Sequence, residues 1–284
     1  MAGPIDSHPL RDDPVSGGAR SRIVLGNRTL LAVSDGFIRI PPDFLGSPRQ
    51  PTAAYDALAA RYGEARLPLG CFVWPGDQNV LIDAGLGPVD YAGRGVMVGG
   101  RLIERLRDDG FAPSDIDMVC LSHLHADHTG WIADDNGEPV FPRARVLIGE
   151  SDWNHFVVEG GDPVLDERLA HALRLLADRG RVELLDGERS VVPGLARLAA
   201  PGHTPGHSIY LAHDGADRVM LLGDAMYCPH QLTNDEWAAM SDVDPKLAAQ
   251  TRARFVRDLA AGGGSAMGCH FPELIAGRAW PSRR

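Results

Sequence analysis

The sequence predicts an α/β fold in which two β-sheets lie together and helices pack on their outer faces. Two observations carry this expectation. The first third of the chain reads as hairpin strands, and from Arg101 onward short apolar strands alternate with amphipathic helices, the pattern of layered sheets and helices. The 284 residues are enough to bury a substantial core, and 44% hydrophobic with 23% charged residues is ordinary for a globular enzyme. No interior linker stands out, so residues 21–284 read as one domain.

Ile23 to Val33 alternates loosely and is expected to be a strand. The segment 39–52 holds four prolines and reads as a long loop. Cys71 to Trp74, a turn at Pro75-Gly76-Asp77-Gln78 and Asn79 to Ile82 make a β-hairpin, which runs into Asp83-Ala84-Gly85. Arg101 to Asp109 puts Leu102, Ile103 and Leu106 on one helical face and stops at Gly110. Ile116 to Leu121 follows as a buried strand, and Arg145 to Ile148 as another. Asp166 to Asp178 carries Leu169, Leu173 and Leu176 at helical spacing and ends before Gly180. Val182–Leu185, Leu195–Ala199, Ser208–Ala212 and Val219–Leu222 read as strands. Asp244-Pro245 is a helix start, with an acid at the N-cap and proline at the first helical position. Leu247, Thr251, Phe255 and Leu259 then share one face.

A net charge of −10 makes nucleic acid and anionic membrane poor partners. Four cysteines without C-x-x-C spacing give no disulfide framework. Residues 1–20 are rich in Pro, Gly, Asp and Ser and read as a disordered tail without the apolar region of a signal peptide. No apolar run is long enough to span a membrane. The expected location is the cytoplasm.

The chemistry concentrates in His123-Leu124-His125-Ala126-Asp127-His128. Three imidazoles and a carboxylate in six residues would be costly to bury unless paired or bound to a cation, for which they are standard ligands. If the chain stays extended past Leu121, His123 and His125 point to one side, while Asp127 and His128 turn elsewhere. Further candidates sit at the ends of regular elements: His203 in Pro201-Gly202-His203-Thr204-Pro205-Gly206-His207, Asp224 after the strand at 219–222, and His270 after the last helix.

These motifs resemble the metallo-β-lactamase superfamily, and the resemblance runs from about Ile23 to His270. It rests on HLHADH at 123–128, the PGHTPGH loop, the GDA turn at 223–225, His270, and the hairpin leading into residues 81–85. It implies an αββα sandwich of two mixed β-sheets flanked by helices, with two Zn2+ (or other divalent transition metals) at one edge. By that resemblance one metal takes His123, His125 and His203, the other takes Asp127, His128 and His270, and Asp224 bridges them. A metal-bridging hydroxide is the implied nucleophile, with Asp127 as proton shuttle. No G-x-S-x-G motif offers a serine instead.

The superfamily hosts many reactions, so the fold leaves the substrate open. Only 14 residues follow His270, too few for the C-terminal helical domain of the glyoxalase II thioesterases. The spacing of 46 positions from Asp224 to His270 (270 − 224) leaves no room for the inserted domain of the nucleic-acid-processing branch. The bridging Asp224 argues against the true β-lactamases. What remains looks like the N-acyl-homoserine lactone lactonases and related phosphotriesterase-type hydrolases. Tyr227 matches a tyrosine that hydrogen-bonds the lactone carbonyl in those lactonases, and core packing is the alternative reading.

The expected activity is therefore lactone opening on a small-molecule ester or lactone substrate. Aryl-ester or phosphotriester hydrolysis, or metal binding without catalysis, are the alternatives. Family members often dimerise, which leaves a homodimer open. Trp131 either walls the pocket or lies buried under a loop. Asp83 and His207 read as supports for the ligands, and Cys228 and Cys269 as inert buried thiols.

Overall fold

The computed structural model describes residues 7–9, 20–92, 96–160, 167–234, 236–262, 264–274 and 277–278. Two mixed sheets form the centre. The first follows the order Ser7–Pro9, Arg20–Leu25, Arg28–Arg39, Arg66–Trp74, Val80–Ile82, Met118–Cys120, Arg145–Gly149, Val182–Leu185, with a small hairpin, Asp90–Ala92 and Val96–Val98, beside Arg28–Arg39. The second follows the order Arg189–Val192, Leu195–Ala199, Ser208–Asp214, Asp217–Leu221, Ser265–Met267, Gly277–Arg278.

Strand alternation builds the layers. Val119 and Leu121 pack with Leu102, Leu106, Leu169, Leu173 and Leu176, so that face of the first sheet is covered by the helices Leu102–Asp108 and Glu167–Asp178. Met118 and Cys120, pointing the other way, pack with Tyr210, Val219, Leu221 and Met267 of the second sheet. The outer face of that sheet, through Ile209 and Ala266, meets Phe255 and Leu259 of the helix Pro245–Gly262. The αββα order is the result. Burial of these aliphatic and aromatic side chains, each worth ~1.5–3 kcal/mol, holds the layers together.

Asp244 caps the last helix through Oδ1, which accepts the N–H groups of Lys246 and Leu247. Among the described residues no helix is long and apolar enough to cross a membrane.

Several expectations need correction. The span Ile23–Val33 is not one strand but a hairpin, with antiparallel pairs from Arg20↔Val33 to Leu25↔Arg28. Its turn is Gly26-Asn27, with Gly26 at φ +55°. The proline-rich segment contains a short strand, Leu45–Gly46, paired with Ala238–Ala239, and the helix Ala53–Tyr62 follows it. Most of the expected tail, and Asp166 at the expected helix start, lie outside the described residues. Within that tail Ser7–Pro9 pairs with residues 21–23. Trp131 is held from behind: its indole N–H donates to buried Asp35 at 2.8 Å, and it packs against the helix-side core.

Candidate metal centre

Topology brings the chemistry to one edge. Val80–Ile82, Met118–Cys120 and Arg145–Gly149 are parallel neighbours, so their C-terminal ends emerge side by side. They deliver Asp83, the segment 121–128 and Asp152. In the second sheet Asp217–Leu221 and Ser265–Met267 are also parallel and deliver Asp224 and Cys269-His270. The strand Leu195–Ala199 feeds the loop with His203 and His207.

Past Leu121 the chain bends at Ser122 and runs without regular structure to His125, whose backbone is extended and which stands at the N-cap of the helical turn Ala126–Thr129. That turn is laced to the neighbouring loop by Ala84 N–H to His128 O at 2.8 Å and Gly130 N–H to Gly85 O at 2.7 Å. A Cβ on Gly130 would sit 1.9 Å from the Leu86 carbonyl, so only glycine permits this approach.

All seven expected ligands converge. Ligand atoms of His123, His125, His203 and Asp224 lie within 4.8 Å of one another, as do those of His128, Asp224, Cys269 and His270. Asp224 joins the two groups. Its Oδ2 is 3.9 Å from His123 Nε2 and 3.5 Å from His203 Nε2. Its Oδ1 is 3.2 Å from His128 Nε2 and 3.1 Å from His270 Nε2. Asp127 Oδ2 approaches the second group, at 3.7 Å from His128 Nε2 and 3.5 Å from His270 Nε2.

Most of the imidazoles are fixed from behind. His128 Nδ1 meets Asp83 Oδ2 at 2.9 Å, His203 Nδ1 meets Asp242 Oδ1 at 3.0 Å, and His270 Nδ1 meets the Pro68 carbonyl at 2.7 Å. Ser122 Oγ donates to Asp83 Oδ2 and so accepts from His123 Nδ1 at 3.0 Å. These contacts turn each Nε2 inward, and those of His123, His128 and His270 make no hydrogen bond there. His125 differs, since its Nδ1 faces His203 Nε2 at 3.0 Å. His207 supports Asp224 itself: its Nε2 accepts the Asp224 backbone N–H at 3.1 Å.

The donor set fits divalent cations. His123, His128 and His270 Nε2 are buried and make no hydrogen bond. Burial, reinforced by neighbouring imidazoles, holds His123 and His125 well below the usual histidine range, so they are neutral donors. Burial also disfavours charge on His128 and His270, but the carboxylates of Asp224 and Asp127 outweigh it and raise both. The same attraction overcomes burial at Asp224 and holds it well below the carboxylate range. A buried carboxylate between two imidazole groups therefore demands positive charge, which imidazolium or a metal ion can provide.

Tyr227 stacks on His270 with ring centroids 4.9 Å apart and planes 2° from parallel. Its hydroxyl is 2.9 Å from Ser241 Oγ, and Phe44 of the proline-rich segment meets its ring edge-on at 5.2 Å.

Sequence reasoning missed several participants. Asp242, backed by Arg252 at 3.2 Å, and Asp152, which accepts from Thr204 Oγ1 and Gly206 N–H, carry no local motif. Cys269, expected to be inert, sits 3.1 Å from Asp224 Oδ1. Its position beside His270 was the one available signal.

Comparison with known proteins agrees with this architecture. The Metallo-beta-lactamase superfamily model matches residues 71–261. The N-acyl homoserine lactonase AiiA of Bacillus thuringiensis subsp. kurstaki is 23% identical over 204 residues, covering 66% of this chain and 75% of that protein. Among solved structures, the dizinc quorum-quenching lactonase AidC, in complex with a product, superposes with a TM-score of 0.77 at 22% identity, covering 93% of this chain and 94% of that one. The hydrolase AbOPH gives 0.76 at 23% identity, covering 93% of each chain. With the family model spanning most of the chain and the fold shared by both neighbours, this chain belongs to the metallo-β-lactamase superfamily.

Proposed function

We propose that this protein is a dinuclear metal-dependent hydrolase that opens lactone rings. The observation that carries the reading is Asp224, whose two oxygens face two separate imidazole groups. In this reading His123, His125 and His203 hold one cation, Asp127, His128 and His270 hold the other, and Asp224 is shared. Zinc suits these nitrogen and oxygen donors. When bound, such a pair supplies an activated water and a Lewis acid at neutral pH.

The chain's own residues then do the following. Asp83, Asp242 and the Pro68 carbonyl hold three rings in one tautomer, so no reorganisation is needed when substrate arrives. Asp127, whose side chain keeps 15% of its surface exposed, takes a proton at Oδ2 and returns it to the leaving alkoxide oxygen. The Tyr227 hydroxyl, steadied by Ser241, donates a hydrogen bond to the substrate carbonyl as negative charge develops there. The lactonase relative and the lactonase structure support this choice of substrate class.

The test is a hydrolysis panel with metal-loaded protein, spanning acyl-homoserine lactones, a nitrophenyl ester, a nitrophenyl phosphotriester, a thioester and a β-lactam. The expected outcome is highest kcat/KM on lactones. Full metal loading with no turnover on any of them would leave a metal-binding protein without catalysis.

A further inference from the structure

Cys269 stands where a simple packing role does not explain it. Its sulfur lies 3.1 Å from Asp224 Oδ1, the same oxygen that meets His128 Nε2 at 3.2 Å and His270 Nε2 at 3.1 Å. The four ligand atoms form one cluster within 4.8 Å, and all four residues are buried. Two of its members, His128 Nε2 and His270 Nε2, are buried nitrogens without a hydrogen bond, aimed into the same space.

The contacts around Asp224 Oδ1, at 3.1–3.2 Å, have the spacing of neighbouring ligands in a coordination shell. Bonds of ~2.0–2.1 Å to nitrogen or oxygen and ~2.3 Å to sulfur place neighbouring ligand atoms of a four- or five-coordinate ion roughly 2.9–3.6 Å from one another. The sulfur is also fixed in place. The strand Ser265–Met267 ends just before it, and the Cys269 carbonyl accepts the Gly70 N–H of the first sheet at 2.9 Å. No disulfide partner competes for it among the described residues, since all four cysteines are free and buried.

We propose that Cys269 supplies a sulfur ligand to the cation held by Asp127, His128, Asp224 and His270, a proposal that rests on the two-cation reading above. Binding replaces the S–H proton by a metal–sulfur bond, and the proton leaves to solvent. The consequence is selectivity. The group without sulfur offers only nitrogen and oxygen donors, whereas a thiolate makes the second position prefer zinc or cobalt over manganese or magnesium.

Cobalt(II) is the probe. The full chain is stripped with chelator, titrated with Co2+ and followed by absorption, with bound metal counted in parallel. The expected result is two equivalents bound and a thiolate-to-cobalt charge-transfer band in the near ultraviolet. That band is lost in Cys269→Ser and kept in Cys228→Ala. Two equivalents without the band overturn the sulfur ligand and leave the two-cation reading standing, because the thiol is then only a hydrogen-bond donor to Asp224. No bound cobalt overturns both. A band that survives Cys269→Ser, or vanishes in Cys228→Ala, assigns the sulfur elsewhere and also overturns the proposal. Should Cys269→Ser fail to fold, Cys71, Cys120 and Cys228 are replaced together, and the band must persist with Cys269 as the sole thiol.

Discussion

Behind His203 stands a buried pair, Asp242 and Arg252, and behind His128 stands Asp83. Asp83 reaches its place with φ +60°, an uncommon conformation for a residue other than glycine, and its Oδ1 also accepts the Ser122 N–H at 2.7 Å. Such partners set ring orientation and raise donor basicity, and losing one typically weakens metal binding ~10–100-fold. Asp242→Asn should lower affinity by that order with the fold intact, read by competition against a chromogenic chelator. Wild-type affinity would remove Asp242 from the metal centre's support. Tyr227→Phe should lower lactone turnover several-fold at unchanged metal content. An unaltered rate would return Tyr227 to packing against Phe44 and His270.

The loop 201–207 shows how an element is aimed. Asp152, in the helical turn Glu150–Asp152 that follows the strand Arg145–Gly149, accepts the Gly206 N–H through Oδ1 at 2.6 Å and the Thr204 hydroxyl through Oδ2 at 2.8 Å. Gly149 and Gly206 touch backbone to backbone, with a Cβ on Gly149 falling 2.1 Å from the Gly206 carbonyl oxygen. The loop is thus clamped to the first sheet while it presents His203 to the second. Burial lifts the Asp152 carboxyl from the ordinary 3.8 to about 6, although both hydrogen bonds pull the other way. The folded protein therefore keeps this proton at pH values where the unfolded chain has lost it. The stability that this proton confers is full below the unfolded pKa and is lost as pH rises through about 6. The lift is worth ~3 kcal/mol. Asp152→Asn, neutral at every pH, should flatten that part of the profile in denaturant titrations of the chelated protein between pH 4 and 6. Parallel profiles for the two proteins would contradict it.

Across the whole molecule, the centre is stitched from both sheets, so its occupant should stabilise the sandwich. A ligand that binds only the folded state adds ~2.7 kcal/mol at a hundredfold excess over its Kd. Stripping the metal should lower the melting temperature in calorimetry, and zinc should restore it. A melting point indifferent to chelator would argue against a cation at the seam of the two sheets. The proline-rich segment belongs to this scale as well. Its Leu45–Gly46 strand pairs with Ala238–Ala239, and Leu45 packs with Tyr227, Trp237 and Ala239, so it is tied to the wall of the centre through residues almost two hundred positions away.

Much of this was legible along the chain, for a local reason. Strands such as Met118–Cys120 are short apolar runs bounded by turn residues, and the segment 123–128 stands directly at a strand tip. Residue order alone therefore places those side chains at a sheet edge. The Gly26-Asn27 turn is also written locally, as a glycine–asparagine pair between two strand-forming runs. What local order could not reveal is which edges meet. Asp242 reaches His203 across 39 positions, Asp152 reaches Thr204 across 52, and the Pro68 carbonyl reaches His270 across 202. Those pairings follow from strand order and from the stacking of the two sheets, which long-range burial selects. That is why the imidazoles and carboxylates could be picked out from spacing, while the partners that fix their tautomers and the thiol beside Asp224 emerged only once the layers were packed.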